Sequence, residues 1–431
     1  MTSIRGIIRK VSFRNIVTAI VILGMAAVGT FFLVGSHASA PYASVSAYQG
    51  SVSGSASKQT NCSGAVNNTC VLFGQPIPMD GNVALALSAS GTPFSPTSFW
   101  NTPIPDNAPV NVNNAAYISD INYDLCNYYP IESSPTNPCV IPAYGGLNTR
   151  QYSAPLYVVP ANQLYVSVTR VCNGVATPNT NFDNSVAGGV PIPADAHAAA
   201  GTDEEVQIYQ PSTNKYWDFW KFQKDSSGNW DACWGGGITD VSQSNGIFPN
   251  NLGATATSLP LLGGDVRIEE LQAGQIDHVM GLELDNNLLK TVIPANTTGA
   301  ATGISWPATR GDGTDTNPLA IPEGLRFRLN PNLNLNTLDL SPVAKVIAVA
   351  AQKYGFVVND TTNGLGIYLG DPTSYTNTPS PNLPDPYTAG PGVGGVGTTG
   401  LFQGVPSYLV LKNFPWDQLQ ALPDSYGQPG P

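Results

Sequence analysis

Asp203 and Glu205 stand two residues apart, a spacing that puts both carboxylates on one face of an extended chain. Asp218 lies on the next strand-like run, so antiparallel pairing would gather three carboxyl groups near one end of a hairpin. Crowding of that kind raises at least one pKa, which is what a general acid requires. Carboxylates left on the surface of an acidic protein would do nothing of the sort. His278 sits in an alternating apolar run with Ile276, Met280, Leu282 and Leu284. At the floor of a cleft its imidazole would move protons near neutral pH, and inside a core it would be a hydrogen-bonded structural residue. Trp220 and Trp306 offer flat rings that can stack on sugar faces, and Arg310 offers a fixed cation beside them. Most of the seven tryptophans are nevertheless expected in the core, where large aromatics dominate burial. Asp312 and Asp315 lie in a Gly/Thr/Asn loop and could hold Ca²⁺ through oxygen ligands, without a recognisable calcium-loop pattern. No other cofactor is expected. The chain has no phosphate-cradling loop, no dinucleotide fingerprint, no His-Glu-x-x-His and no Gly-x-Ser-x-Gly.

The elements that must position these residues read mainly as strands. Val206 to Tyr209 and Tyr216 to Phe222 flank a turn-rich insert of hairpin length, Gln210 to Asn214. On the second run Tyr216, Asp218, Trp220 and Phe222 would share one face. Ile276 to Leu284 alternates as well, and shorter strands are expected at Leu156 to Val159, Leu164 to Thr169, Leu325 to Leu329 and Phe356 to Val358. One long helix is well marked: Ser341 is an N-cap, Pro342 takes the first helical position, apolar residues recur from Val343 to Tyr354, and Gly355 supplies a left-handed stop. Shorter helices are expected over Ala115 to Leu125, Ile268 to Ala273 and Trp416 to Leu422. Many strands and few helices predict a mainly β fold, a β-sandwich or jelly-roll-like body.

At the amino end, Arg5, Arg9, Lys10 and Arg14 precede an uncharged apolar run from about Ile16 to Val34. This reads as a secretory signal cut after Ala38, or as an N-terminal anchor. Residues 1–40 are thus assigned to export, 41–90 to a Ser/Gly/Asn-rich arm, and 91–375 to the β-rich body. A Pro/Gly-rich loop or linker follows over 376–400, and 401–431 is a C-terminal segment packing on the body. Beyond residue 40 the chain keeps 14 of its 18 Lys and Arg and all 29 Asp and Glu, a net charge of −15. Such a surface repels nucleic acid and anionic lipid, so no partner of either kind is expected. All six cysteines fall in the exported part. An even count there reads as disulfides, and short loops favour Cys62 with Cys70 and Cys126 with Cys139, leaving Cys172 with Cys233.

A series of short blocks resembles a family of secreted bacterial β-rich proteins of unestablished activity. The blocks run in order through Phe99-Trp100-Asn101-Thr102, Gly201-Thr202-Asp203, Tyr216-Trp217-Asp218-Phe219-Trp220, Gly274-Gln275-Ile276-Asp277-His278, Trp306-Pro307-Ala308-Thr309, Arg326-Phe327-Arg328-Leu329 and Gln352-Lys353-Tyr354-Gly355. The resemblance covers roughly residues 95–370. It implies an exported β-rich protein, of a kind sometimes found beside adhesive or carbohydrate-binding modules. Family members often carry a histidine where this chain has Glu205, so a site built on that imidazole is not implied here.

Two readings follow. In one, the chain is a secreted carbohydrate-active enzyme, either a glycosidase using two carboxylates or a lyase using His278 with a Tyr and an Arg. In the other, it is a non-catalytic cell-wall or matrix protein. In both, the expected partner is an extracellular polysaccharide or cell-wall glycan. Fold alone does not choose between them.

Overall fold

Leu282 and Leu284 point to one side of a strand and Glu283 to the other, and that alternation organises the body. In the computed structural model the strand runs Met280–Asp285. The structure describes residues 57–60, 69–72, 91–128, 145–294, 301–376 and 385–430. The expected signal and most of the arm lie outside them. The chain divides into two units, Met1–Ile77 and Pro78–Pro431. In the first, Ser57–Thr60 pairs antiparallel with Thr69–Leu72.

The second unit carries three mixed sheets of six, four and four strands among the described residues. It is β-rich, as expected. Four of the strand pairings are parallel, a departure from the all-antiparallel ladders of a jelly roll. In the six-stranded sheet Met280–Asp285 lies between Phe356–Thr362, to which it is parallel, and Leu365–Tyr368, to which it is antiparallel. The edges of this sheet are Gly146–Asn148 and Leu419–Ala421.

One face of this sheet presents Met280, Leu282, Leu284, Phe356 and Val358 to the helices Asn114–Tyr128 and Pro342–Lys353, forming one large apolar cluster. The opposite face contributes Val279 and Val357 to a second cluster, shared with Val206, Ile208, Trp217 and Phe219. Those four belong to the hairpin Val206–Gln210 and Lys215–Trp220, the centre of one four-stranded sheet. The helices thus cover one face of the six-stranded sheet, and the apolar residues of the hairpin share the second cluster with Val279 and Val357.

The long helix starts and stops as its sequence dictates. Ser341 Oγ accepts from the Ala344 N–H at 3.1 Å, Pro342 opens the first turn, and Gly355 follows with φ 77°. A Cβ at Gly355 would collide with the Phe327 carbonyl, so only glycine fits that turn.

Three expected elements differ. The strand expected over Leu164 to Thr169 lies later, at Val168–Cys172. The strand around His278 begins only at Met280, and Trp416 to Leu422 is not a helix. It is a single 3₁₀ turn, Trp416–Gln418, followed by the edge strand Leu419–Ala421, bracketed by Pro415 and Pro423. Leu419 and Ala421 face the core as alternate residues, so a period of two wins over the short apolar run that reads as helix.

Cys172 is bonded to Cys233, the pair left once the two short loops are assigned. Cys126 is also disulfide-bonded. Its expected partner Cys139, and Cys62, lie outside the described residues. From the Pro/Gly-rich segment, Tyr387 is buried; its hydroxyl donates to the Gly370 carbonyl at 2.6 Å and its ring lies 4.9 Å from that of Phe402. No helix among the described residues is long and apolar enough to cross a membrane.

Candidate active site

Between the hairpin sheet and the polar face of the six-stranded sheet lies a cavity of about 350 Å³, within the ordinary range for small-ligand sites. Its floor is set by a β-bulge. Leu282 pairs with Val358, but the next residue, Glu283, pairs with Asp360, leaving Asn359 unpaired between them. Strict alternation would send Asp360 to the same side as Val358, into the apolar core. The extra residue turns it instead to the side of Glu283, the re-aiming for which bulges near functional sites are known. Asn359 stays wholly buried, its amide donating to the Tyr368 hydroxyl at 2.6 Å.

Asp360 is then fixed by two backbone N–H groups, Thr361 at 2.8 Å and Ala256 at 3.1 Å. Burial nevertheless wins, and its carboxyl is pushed up to about 7. Glu283 accepts one weak bond from the Asn148 amide at 3.3 Å, and a side chain at Gly366 on the neighbouring strand would run into it. Desolvation first, and then the Asp360 and Asp203 charges, raise its pKa well above the ordinary carboxylate range.

The hairpin supplies the opposite wall. Pairing continues past its strands, with Lys221 and Phe222 N–H groups bonded to the Asp203 and Glu204 carbonyls. Glu204 and Lys221 both adopt left-handed backbone, φ 49° and 52°. This twist at the hairpin mouth leaves Asp203 and Glu205 lining the cavity together, as their spacing predicts. It also breaks the alternation beyond Trp220. Trp220 lines the cavity, while Phe222 turns away to stack on Trp230 with ring centres 4.6 Å apart. Trp220 Nε1 donates to Asp203 Oδ1 at 3.2 Å.

Glu205 is 9% exposed, and its carboxylate has no hydrogen-bond partner among the described residues. Desolvation, followed by the charges of Asp360, Asp203, Glu283 and Asp218, raises its pKa well above the usual value.

Asp218 sits one layer behind. It is fully buried and accepts from the Ala254 N–H at 2.8 Å, the Leu261 N–H at 3.2 Å and the Tyr216 hydroxyl at 3.0 Å. It therefore pins the loop from which Ala256 reaches Asp360, and it positions the site without lining it. Burial holds its carboxyl at about 7 despite those donors.

Arg310 lines the cavity, bound to the same loop through Ser258 Oγ at 2.9 Å and the carbonyls of Gly253 at 3.0 Å and Thr255. Beneath it Glu323 accepts from the Asp312 and Gly313 N–H groups, its carboxyl raised by burial to about 8. Asp312 faces the cavity, whereas Asp315 turns back to accept the Asn317 N–H at 2.9 Å. The two acids of the expected calcium loop thus serve different ends. Among the described residues no group of three or more His, Cys, Asp and Glu is arranged to hold a metal ion.

Two expected site residues lie elsewhere. His278 is fully buried, with Nε2 3.0 Å from Glu270 Oε2 and Nδ1 2.8 Å from the Val279 carbonyl. Glu270 is in turn paired with Arg267 at 2.6 Å. With both ring nitrogens engaged inside the fold, His278 is a core residue and no floor of a cleft. Trp306 packs edge-to-face on Phe99, ring centres 5.4 Å apart, and its N–H donates to Ser425 Oγ. It is partly buried against the segment around Ser425 and Gly427 and does not line the cavity.

Glu283, Asp360, Arg170, Trp234 and Tyr152 complete the site and were missed. Glu283 had a signal in the sequence: a lone acid on the second face of a strand whose first face is wholly apolar. Asp360 had none, because an alternating strand assigns it to the core.

Comparison with protein-family models, with curated proteins and with solved structures finds no match. What the site can do rests on its own geometry.

Proposed function

We propose that this chain is an exported glycoside hydrolase, with Glu205 as general acid and Asp360 as the ionised partner. The observation that carries the reading is the opening of Glu283 and Asp360, from two strands, and of Glu205, just before a third, onto one cavity flanked by Trp220 and Tyr152. Glycosidases need two carboxyl groups in unlike environments, one holding its proton and one giving it up. Glu205 has no hydrogen-bond donor among the described residues, and burial and its acidic neighbours favour its protonated form. Asp360 has two backbone donors that favour its charged form, and with its carboxyl at about 7 it gives up its proton near neutral pH. Asp360 is also the largest charged contributor to the shift at Glu205, as expected of facing partners. Glu205 would protonate the glycosidic oxygen. Asp360 would activate water or attack the anomeric carbon from the other side, and Trp220 would give the sugar a stacking face.

The lyase alternative loses its base, since His278 is enclosed. The disulfide Cys172–Cys233, whose second cysteine borders the cavity, suits an oxidising compartment and supports the export reading.

Purified protein should release new reducing ends from at least one polysaccharide of a broad panel. Glu205→Gln and Asp360→Asn should each lower that rate by about 10²–10⁴-fold, the usual worth of acid–base groups, at an unchanged or higher thermal midpoint. Glycan binding with no release of reducing ends would instead mark a non-catalytic binding protein. Full turnover by both variants would remove these residues from the mechanism.

A further inference from the structure

The geometry points to a glycan bearing protonated amino groups, a polymer of 2-amino-2-deoxy sugars, as the ligand of this cavity. The inference rests on the glycosidase reading and narrows it to a substrate class.

Five carboxyl groups line the cavity, from Asp203, Glu205, Glu283, Asp312 and Asp360. Only two cations oppose them, and both are committed to the wall. Arg170 spends Nε on the Cys233 carbonyl at 3.1 Å and Nη1 on the Thr177 carbonyl at 2.6 Å. Arg310 spends Nε and Nη2 on the Gly253 to Ser258 loop. Both guanidinium groups lie over the Trp234 ring, 4.8 and 5.8 Å from its centre. A substrate carboxylate or sulfate would therefore meet a field of its own sign and find few free donors.

A cationic ligand meets the reverse. Glu205 is a nine-tenths buried carboxylate, unpartnered among the described residues and open to the cavity, and an ammonium group supplies the donors it lacks. Of the acids behind the walls, Asp218 is met by its own donors on both oxygens, while Glu323 takes both of its donors on Oε2 and has no opening onto the cavity. Neutral hydroxyls can hydrogen-bond to carboxylates too, but they leave the mutual repulsion in place. A fixed positive charge relieves it, and Glu283, whose pKa burial and the Asp360 and Asp203 charges raise, can then ionise while Glu205 keeps the proton it donates.

Calorimetry on the intact protein with three tetrasaccharides tests this: β-1,4-linked glucosamine, its N-acetylated counterpart and a β-1,4-linked glucose tetramer, with an oligogalacturonate as the anionic control. The glucosamine tetramer should bind at least tenfold more tightly than either uncharged tetramer and release protons to the buffer. Its affinity should fall between 50 and 500 mM NaCl, roughly as expected when the Debye length shrinks from about 14 to 4 Å. Glu205→Gln should weaken glucosamine binding tenfold or more and leave the uncharged tetramers nearly unaffected. If an uncharged tetramer binds as tightly, or the uronate binds best, the amino-sugar inference fails while the glycosidase reading stands. If calcium chloride alone binds and blocks the sugar, the cavity is a metal site and the inference fails. If no saccharide binds, the glycosidase reading falls with it.

Discussion

Glu270 is held between Arg267 and His278 in a pocket from which water is excluded, with side chains at most 5% exposed on all three. Burying an ionic group without its partners is far more costly than the pair is stabilising. His278→Ala should therefore cost the fold about 1–3 kcal/mol, seen as a lower midpoint in denaturant. Turnover per folded molecule should be unchanged, because no atom of the ring reaches the cavity. A large loss of rate at unaltered stability would return His278 to the chemistry. The contrast with Glu205 is instructive: both residues are buried, but one has both ring nitrogens met inside the protein and the other has neither carboxyl oxygen met among the described residues. Unmet demand at a buried group facing open space is a better mark of function than residue type.

Local signals carry the long helix. Ser341 caps the Ala344 N–H and also donates to the Val410 carbonyl at 2.8 Å, tying the helix start to the C-terminal segment. Ser341→Ala should cost about 1–2 kcal/mol, measurable as a shifted unfolding midpoint with little change in the cavity. Caps, turn residues and periodicity are written within a few neighbouring positions, so this helix and the hairpin Val206–Trp220 were legible in the sequence. So were the pairing of Asp203 with Glu205 at the hairpin mouth, and Trp220 and Arg310 in the wall. The bulge at Asn359 was not, because it exists only in relation to the strand Met280–Asp285, whose register no local pattern announces. Asp360 stayed hidden for that reason. Trp306 and His278 misled in the opposite direction. An aromatic or a histidine on a strand says nothing about whether other segments will pack against it, and here the chain near Ser425 and the pair Arg267 and Glu270 do so.

Across the whole molecule the buried acids push in one direction. Burial raises Asp218 and Asp360 to about 7, and Asp265 and Glu323 to about 8. Each folded-state value lies above that of the unfolded chain, so the folded protein holds extra protons between about pH 4 and 8. The stability these groups contribute is full below about pH 4 and is lost as pH rises through 7 to 8. Scanning calorimetry should thus find a higher thermal midpoint at pH 5.5 than at pH 8.5, with most of the fall between pH 6 and 8. A midpoint that climbs over that interval would mean the acids are paired or hydrated in ways their surroundings do not suggest. The cavity walls draw on the chain from Tyr152 to Thr361, and the floor strands pair in parallel across a long helix. No shorter stretch holds the complete site. At the usual 5–20 residues per second, roughly 10–40 s of synthesis separate the first wall residue from the last. Throughout that interval Trp220, Trp234 and the hairpin acids have no opposite wall, so assembly must wait for non-local pairings that close slowly.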